Sequence, residues 1–392
     1  MKKLGEIMDF KITNSFSREN LNYENGTVKN IHYGDIHTKF QALFDIRNEV
    51  VPFINEDINI RRISEDNFCK EGDIIFADAS EDLEDVGKSI EVINLNDVRL
   101  LSGLHTLLAR PKENVFHLGF NAYLFKSNRV RTQIQRESQG TKVLSINVGR
   151  ISKIELSFPA VKEQQKIASF LSLIDERIQT QIKIIEQLET LIKGLSEKLF
   201  SQEIRFKGFT EKWTEKKLGK LATFYSGGTP LTSKKEYFDG NIPFIRSGEI
   251  NSNVTEQFIN ELGLKNSSAK MVEVGDILYA LYGATSGEVA ISKINGAINQ
   301  AVLCIKSQQN HYFIYSYLFH KKEHIINKYL QGGQGNLSAD IVKQIELPIP
   351  PLEEQTIIAN FLSAIDTKIQ TEKNILEKYQ SQKQYLLQNL FI

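Results

Sequence analysis

An α+β fold, in which two mixed α/β globules are joined by two long helices that form an antiparallel coiled coil with an internal pseudo-twofold repeat, is predicted by three observations. Residues 154–180, IELSFPAVKEQQKIASFLSLIDERIQT, recur as residues 345–371, IELPIPPLEEQTIIANFLSAIDTKIQT, with 16 identities in 27 positions; chance gives about one or two at ordinary residue frequencies. Each copy opens an apolar stripe with steps of three and four, the signature of one helical face. The stretch before each copy instead carries short β-type runs between glycine-bearing turns.

At 392 residues the chain exceeds a single ordinary core. The composition is that of a soluble globular protein, with 41% apolar and 24% charged residues. No apolar run is long enough to cross a bilayer and no signal-peptide core follows the first lysines, so a cytoplasmic protein without membrane contact is expected. Cys69 and Cys304 stand far apart with no C-x-x-C partner, which points to core thiols and to no metal site. Basic and acidic residues balance at 48 each, so overall charge does not provide a grip on polyanions; local patches or a partner must do so.

The first globule is expected over residues 1–158. Its beginning repeats in the second half: KKLG at 2–5 matches 216–219, and Tyr23, Gly26, Ile31, Gly34 and Ile36 match Tyr237, Gly240, Ile245, Gly248 and Ile250. Further on GDIIFA at 72–77 matches GDILYA at 275–280 at a smaller offset, so the first half carries extra residues in its variable middle.

A first spacer helix is expected over 159–200, with its stripe at Ile167, Leu171, Ile174, Ile178, Ile182, Ile185, Leu188, Ile192, Leu195 and Leu199. It begins after Pro159 with glutamate in the first turn, where a missing N–H costs least and the helix dipole favours negative charge. A linker, SQEIRFKGFTEKW, fills 201–213.

The second globule is expected over 214–349 and a second spacer helix over 350–392, with Lys373 and Lys383 interrupting its seam. Helices of roughly 38 residues, about 57 Å long, need an apolar partner, and the nearest is the other copy. Residues off the stripe also repeat: Glu163-Gln164 as Glu354-Gln355 and Asp175 as Asp366. They are expected to form a shared polar face on which one kind of partner docks twice.

The glycine- and serine-rich loops of the second globule suit close approach to a ligand. They supply Ser226, Gly227, Gly228 and Thr229, then Ser247 and Tyr282, then Gln334 and Asn336, with Lys234, Lys235 and Arg246 beside them. The equivalent surface of the first globule takes Asn14, Ser15, Lys29, His32 and Tyr33, with Arg61, Arg129, Arg131 and Lys142 nearby. YGATSGE at 282–288 is no phosphate-binding loop, since Glu288 stands where the lysine belongs. His105, His311 and His320 are read as structural, and no nucleophile, base and acid set is present.

The ordered motifs KKLG, GGTP, Y-x-D-G-x-I-P-x-I, GDI, INQAV, LPIPPLEEQ and FLSAID, full in the second half and weaker in the first, resemble the specificity subunit of type I restriction and modification enzymes. The resemblance implies that the globules are target recognition domains, each reading one half of an interrupted sequence in double-stranded DNA. It implies that the helices set the unread spacer and bind two methyltransferase subunits, and that restriction subunits join the complex. S-adenosylmethionine, ATP and Mg2+ would then belong to the partners and none to this chain, which has no N-P-P-Y or D-P-P-Y tetrapeptide and no Walker A loop. An antirestriction DNA mimic is a further partner of such a surface. The rival expectations are a scaffold that pairs two proteins without DNA, which would show no salt-sensitive DNA binding, and an orphan catalytic protein, against which the missing motifs count.

Overall fold

A computed structural model describes residues 1–329 and 336–391. The chain divides into two compact units, one made of Met1–Ile182 with Ile375–Ile392 and the other of Lys183–Asn374.

In the first unit a five-stranded sheet has the order Met8–Lys11, Thr106–Pro111, Ile74–Ala77, Ser89–Asn94, Leu43–Asp45. Its middle strand, IIFA, is buried at all four residues, which is why the sequence there is apolar without alternation. A four-stranded sheet runs Leu100–Ser102, Lys29–Ile31, Phe53–Ile54, Leu21–Asn22. The second unit repeats the plan with two four-stranded sheets, Ala222–Ser226, Val302–Ser307, Ile277–Ala280, Val289–Ile291 and Phe258–Ile259, Ile242–Ile245, Gly296–Ile298, Lys270–Val272. The extra strand of the first unit, Leu43–Asp45, lies parallel to Ser89–Asn94 and falls in the additional residues between Ile36 and Gly72.

The repeated KKLG has a structural reason. Lys2–Lys3 pairs antiparallel with Glu155–Leu156, and Thr214–Lys217 pairs antiparallel with Glu346–Ile349. In each half the start of the globule is therefore stitched to the strand that leads into the long helix. After the strand Val302–Ser307 come two helices, His311–His320 and Lys322–Tyr329, broken at Lys321.

The long helices are Val161–Phe200, of 40 residues, and Leu352–Asn389, of 38. They pair antiparallel: in the first unit Asp175 meets Lys383 and Arg177 meets Tyr379, so position rises along one helix as it falls along the other. Lys383 and Lys373, which interrupt the apolar seam, find cross-helix carboxylates at Asp175 and Glu189. Each helix begins in one unit and ends in the other. Leu171, Ile174 and Ile178 enter the first core together with Phe391, whereas Ile192, Leu199 and Phe200 enter the second. The exchange is reciprocal: Phe391 lies 5.6 Å from Phe120, and Phe200 lies 5.6 Å from Phe313. Among the described residues no helix is long and apolar enough to cross a membrane.

Candidate nucleic-acid interface

In both units a short parallel strand pair ends in a five-residue turn, HYGDI at 32–36 and RSGEI at 246–250. Lys29–Ile31 runs parallel to Leu100–Ser102, and Phe244-Ile245 runs parallel to Ala297-Ile298. The amide of Gly103 donates to Ile31 O at 2.9 Å, and that of Asn299 to Ile245 O at 3.4 Å. The sheet thus delivers the two turns to equivalent places.

In the first unit His32 caps the helix Tyr33–Thr38, its Nδ1 accepting from Gly34 N at 3.2 Å. Burial and the charge of Arg18 push the His32 imidazole below its ordinary pKa, as a capping acceptor nitrogen requires. Tyr33 is the centre of an aromatic group, with ring centroids 4.7 Å from His32, 6.0 Å from His37 and 5.2 Å from His105. Asp35, fully buried, accepts both terminal nitrogens of Arg18 at 2.9 and 2.8 Å and Lys39 Nζ at 2.9 Å. Burial would raise its carboxyl, but the two cations outweigh burial and hold it below the usual carboxylate range.

In the second unit Arg246 Nε donates to Glu249 Oε2 at 3.0 Å, and Nη2 reaches Glu249 Oε1 at 3.4 Å and the exposed Glu256 at 2.5 Å. Two loops converge on Gln300: Thr229 Oγ1 donates to its side-chain oxygen at 2.7 Å, and Tyr282 Oη donates to its carbonyl at 2.7 Å. Gly227 and Gly228 serve this packing, since a Cβ on Gly227 would stand 1.7 Å from Ile298 O and one on Gly228 2.6 Å from Ser268 Cβ. The glycines thus permit a close approach within their own chain.

The remaining expected residues separate into exposed and committed groups. Ser15, Arg61, Arg129, Lys142, Ser226, Thr229, Lys235, Tyr282 and Asn336 are exposed, and Ser247 is half-buried. Arg61 borders an open depression with Thr27 and Asn59, away from the His32 turn in its contacts. Lys29 lies over the Phe53 ring, and Lys234 donates to Tyr237 Oη at 3.1 Å. Asn14 ties its loop to the parallel strand pair, donating to Asn30 Oδ1 at 2.7 Å and Ser102 O at 3.0 Å. Arg131 is held inside by the carbonyls of Glu84 and Val86, both at 2.7 Å, so it braces a loop instead of standing free for phosphate. Gln334 lies outside the described residues.

Six side chains at these turns and loops went unmarked in the sequence: Arg18, Asp35, Lys39, Glu249, Glu256 and Gln300. Gln300 had a signal, as a polar residue following closely on the apolar run GAI at 296–298, which is buried in the structure while Gln300 is exposed. Arg18 had none, because only folding brings it to Asp35. His105 had been read as structural; its side chain is 52% exposed, at a φ of 55°, beside Tyr33 and 3.2 Å from Asp78 Oδ1.

The residues expected to form a shared docking face are shared, and most of them point inward. Gln164 accepts from His117 N at 2.9 Å and donates to Val115 O and Pro159 O. Gln355 does the same work, accepting from Asn310 N at 3.1 Å and donating to Gln309 Oε1 and Pro350 O. Asp175 and Asp366 accept from Tyr123 and Tyr312. Glu354 is buried against Arg205, at 2.9 and 2.7 Å, and Trp213 Nε1, at 3.0 Å, both from the linker, while its counterpart Glu163 is exposed. The outward features that repeat are aromatic: Phe170 and its counterpart Phe361 are 47% and 38% exposed.

Comparison with known proteins gives a consistent picture. The family model described as the type I restriction modification DNA specificity domain matches residues 1–190 and again 210–380. A candidate type I restriction enzyme MjaX specificity subunit of Methanocaldococcus jannaschii is 29% identical over 335 residues, spanning 81% of this chain and 76% of that protein. The type I restriction enzyme EcoKI specificity subunit of Escherichia coli is 22% identical over 314 residues, spanning 74% of this chain and 65% of that protein. The crystal structure of the S subunit of a type I restriction-modification system from M. genitalium superposes with a TM-score of 0.65 at 18% identity, covering all of this chain and 95% of that one.

Proposed function

The chain belongs to the type I restriction-modification DNA specificity family, and from that premise we propose that it is the non-catalytic, DNA-reading subunit of a cytoplasmic restriction-modification complex. Each globule reads one half of a split target in double-stranded DNA. The paired helices fix the unread spacer and dock two methyltransferase subunits, to which restriction subunits are added. S-adenosylmethionine, ATP and Mg2+ are handled by those partners. An antirestriction DNA mimic would compete for the same reading surface.

The observation that carries this reading is the repetition of one turn, HYGDI and RSGEI, at the end of the same parallel strand pair in both units. Two sensors of like construction but unlike side chains suit a target whose halves differ in sequence. Base edges in the major groove are distinguished by side-chain donors and acceptors, while backbone amides and hydroxyls hold phosphates. Docking twice is supported by the exposed pair Phe170 and Phe361, which repeat at the same place on the two helices.

The test is to co-express the chain with its methyltransferase subunit and map modified adenines across a genome. A motif with two fixed ends and an unread middle is expected. A continuous motif, or none, overturns the reading.

A further inference from the structure

In the first unit the strand Leu100–Ser102 leads into a short turn, residues 103–105, before Thr106–Pro111 begins. The turn is pinned at both ends. A Cβ on Gly103 would stand 2.3 Å from Asn30 Nδ2 and 2.5 Å from Ile31 O, and Asp78 N donates to His105 O at 3.0 Å. Between these points His105 holds φ at 55°, a left-handed backbone that costs a residue with a Cβ more than it costs glycine. Such strain persists only where the surroundings over-determine it, and it concentrates at sites that act on a ligand.

The imidazole of His105 is held at one nitrogen and open at the other. Nδ1 lies 3.2 Å from Asp78 Oδ1, and the ring meets that of Tyr33, in the HYGDI turn, edge-on at a centroid distance of 5.2 Å. Nε2 has no hydrogen-bond partner among the described residues, and the side chain is half exposed. An ionised carboxylate only accepts, so Asp78 keeps the hydrogen on Nδ1 and leaves a lone pair on Nε2 of the neutral ring. Ser102 pairs with Ile31 as Ile298 pairs with Ile245, which puts Ala301 at the corresponding place in the second unit. The open nitrogen therefore belongs to the first sensor alone.

Resting on the DNA-reading function, we propose that His105 reads one base of one half-site through Nε2, which accepts a hydrogen from the exocyclic amino group of an adenine or a cytosine, with Asp78 as the positioning residue that sets its tautomer. In the major groove adenine N6 and cytosine N4 are donors, whereas guanine N7 and O6 and thymine O4 are acceptors. A lone pair at Nε2 attracts the donors and repels the acceptors, so it registers on which strand of a base pair the amino group lies. Phosphate oxygens are acceptors too, and this tautomer has no hydrogen at Nε2 to offer them. A ring already fixed by its backbone, by Asp78 and by Tyr33 loses little freedom on binding, as selective contact with a base edge requires.

The experiment uses the full chain co-expressed with its methyltransferase subunit, with adenine methylation mapped for the wild type, His105→Gly and Asp78→Asn. Glycine adopts the left-handed backbone of residue 105 freely, so His105→Gly keeps the turn and removes only the imidazole. It is expected to relax one base pair of one half-motif by about tenfold and to leave the other half-motif sharp. Asp78→Asn lets an amide donate to Nδ1 and moves the hydrogen to Nε2, the wrong tautomer, so the same base pair is expected to loosen. The second readout is binding of the purified complex to a target duplex in which the adenine or cytosine of that base pair is replaced by purine or 2-pyrimidinone, which lack the amino group. The wild type is expected to lose about tenfold more affinity than His105→Gly on this replacement. An unchanged motif in His105→Gly overturns the proposal, and so does equal sensitivity of the wild type and His105→Gly to the missing amino group. A motif left sharp by Asp78→Asn overturns the role of Asp78. A uniform loss of modification at all sites, with a shallower salt dependence of DNA binding, overturns the proposal in favour of phosphate contact. A wild type that yields no split motif instead removes the DNA-reading function beneath it.

Discussion

Tyr123 donates its phenolic hydrogen to Asp175 at 3.0 Å, tying the first globule to the first long helix, and Tyr312 donates to Asp366 at the equivalent place in the second unit. The contacts look alike and their settings differ. Asp175 also holds Lys383, whereas Asp366 has Tyr312 as its one hydrogen-bond donor among the described residues, and burial raises its carboxyl above the ordinary range. Tyr123→Phe is therefore expected to cost about 1 kcal/mol and Tyr312→Phe about 2 kcal/mol, because only the latter leaves a partly buried carboxylate without a donor. Urea denaturation of the two variants measures the difference; equal losses would contradict the assigned roles.

Gln164 and Gln355 each join the start of a long helix to a loop of its globule through three hydrogen bonds. Truncation to alanine strands backbone groups of residues 115 and 117 in one case and 310 in the other. Gln164→Ala and Gln355→Ala should each destabilise by about 2–3 kcal/mol, as expected for buried groups left unpaired. Amide hydrogen exchange should rise first at His117 and Asn310 respectively.

Glu91 is fully buried and accepts from Gly119 N and Ala122 N, both at 2.8 Å. Burial, only partly offset by these donors, pushes its carboxyl up to about 7. Because the folded value lies above the unfolded one, its contribution to stability is fully present below about pH 4.5 and is lost as pH rises through about 7, with a full swing of about 3 kcal/mol. The difference in Tm between the wild type and Glu91→Gln should accordingly shrink or reverse over that window. A difference independent of pH would show that Glu91 stays ionised throughout.

Phe170 and Phe361 repeat on the outer surface of the long helices, Phe361 resting partly on Phe206 at 5.6 Å. Phe170→Asp is expected to leave a complex with one methyltransferase subunit, Phe361→Asp the same, and the double variant none, since a buried aromatic anchor typically contributes 2 kcal/mol or more to an interface. Mass photometry of the co-expressed proteins counts the subunits directly. Two subunits retained in the double variant would place docking elsewhere.

Matched insertions of one heptad in both long helices, about 10 Å of rise, should lengthen the unread spacer by about three base pairs while leaving both half-motifs intact. Methylation mapping reads the outcome. A change in the bases recognised would rule out the helices as the element that sets spacing.

Much of this protein was legible without coordinates. The duplication, the extent of the two helices and the β-type runs IIFA and ILYA are encoded in local periodicity and in residues close in sequence. The shared polar residues of the helices were visible too, but not their direction: Gln164 and Gln355 repeat because each satisfies the backbone of its own globule. Periodicity places a side chain on a helix and cannot say what closes over it.

What the tertiary structure alone decided are the meetings between distant segments. Arg18 finds Asp35, Thr229 finds Gln300, Arg205 finds Glu354, and Phe200 and Phe391 each end in the unit where the other helix begins. Such pairs depend on which loops close and which faces are buried, a property of the whole packed chain. Local sequence therefore determined the repeated framework, and packing determined which of its polar groups are buried in structural contacts and which are left at the surface to act.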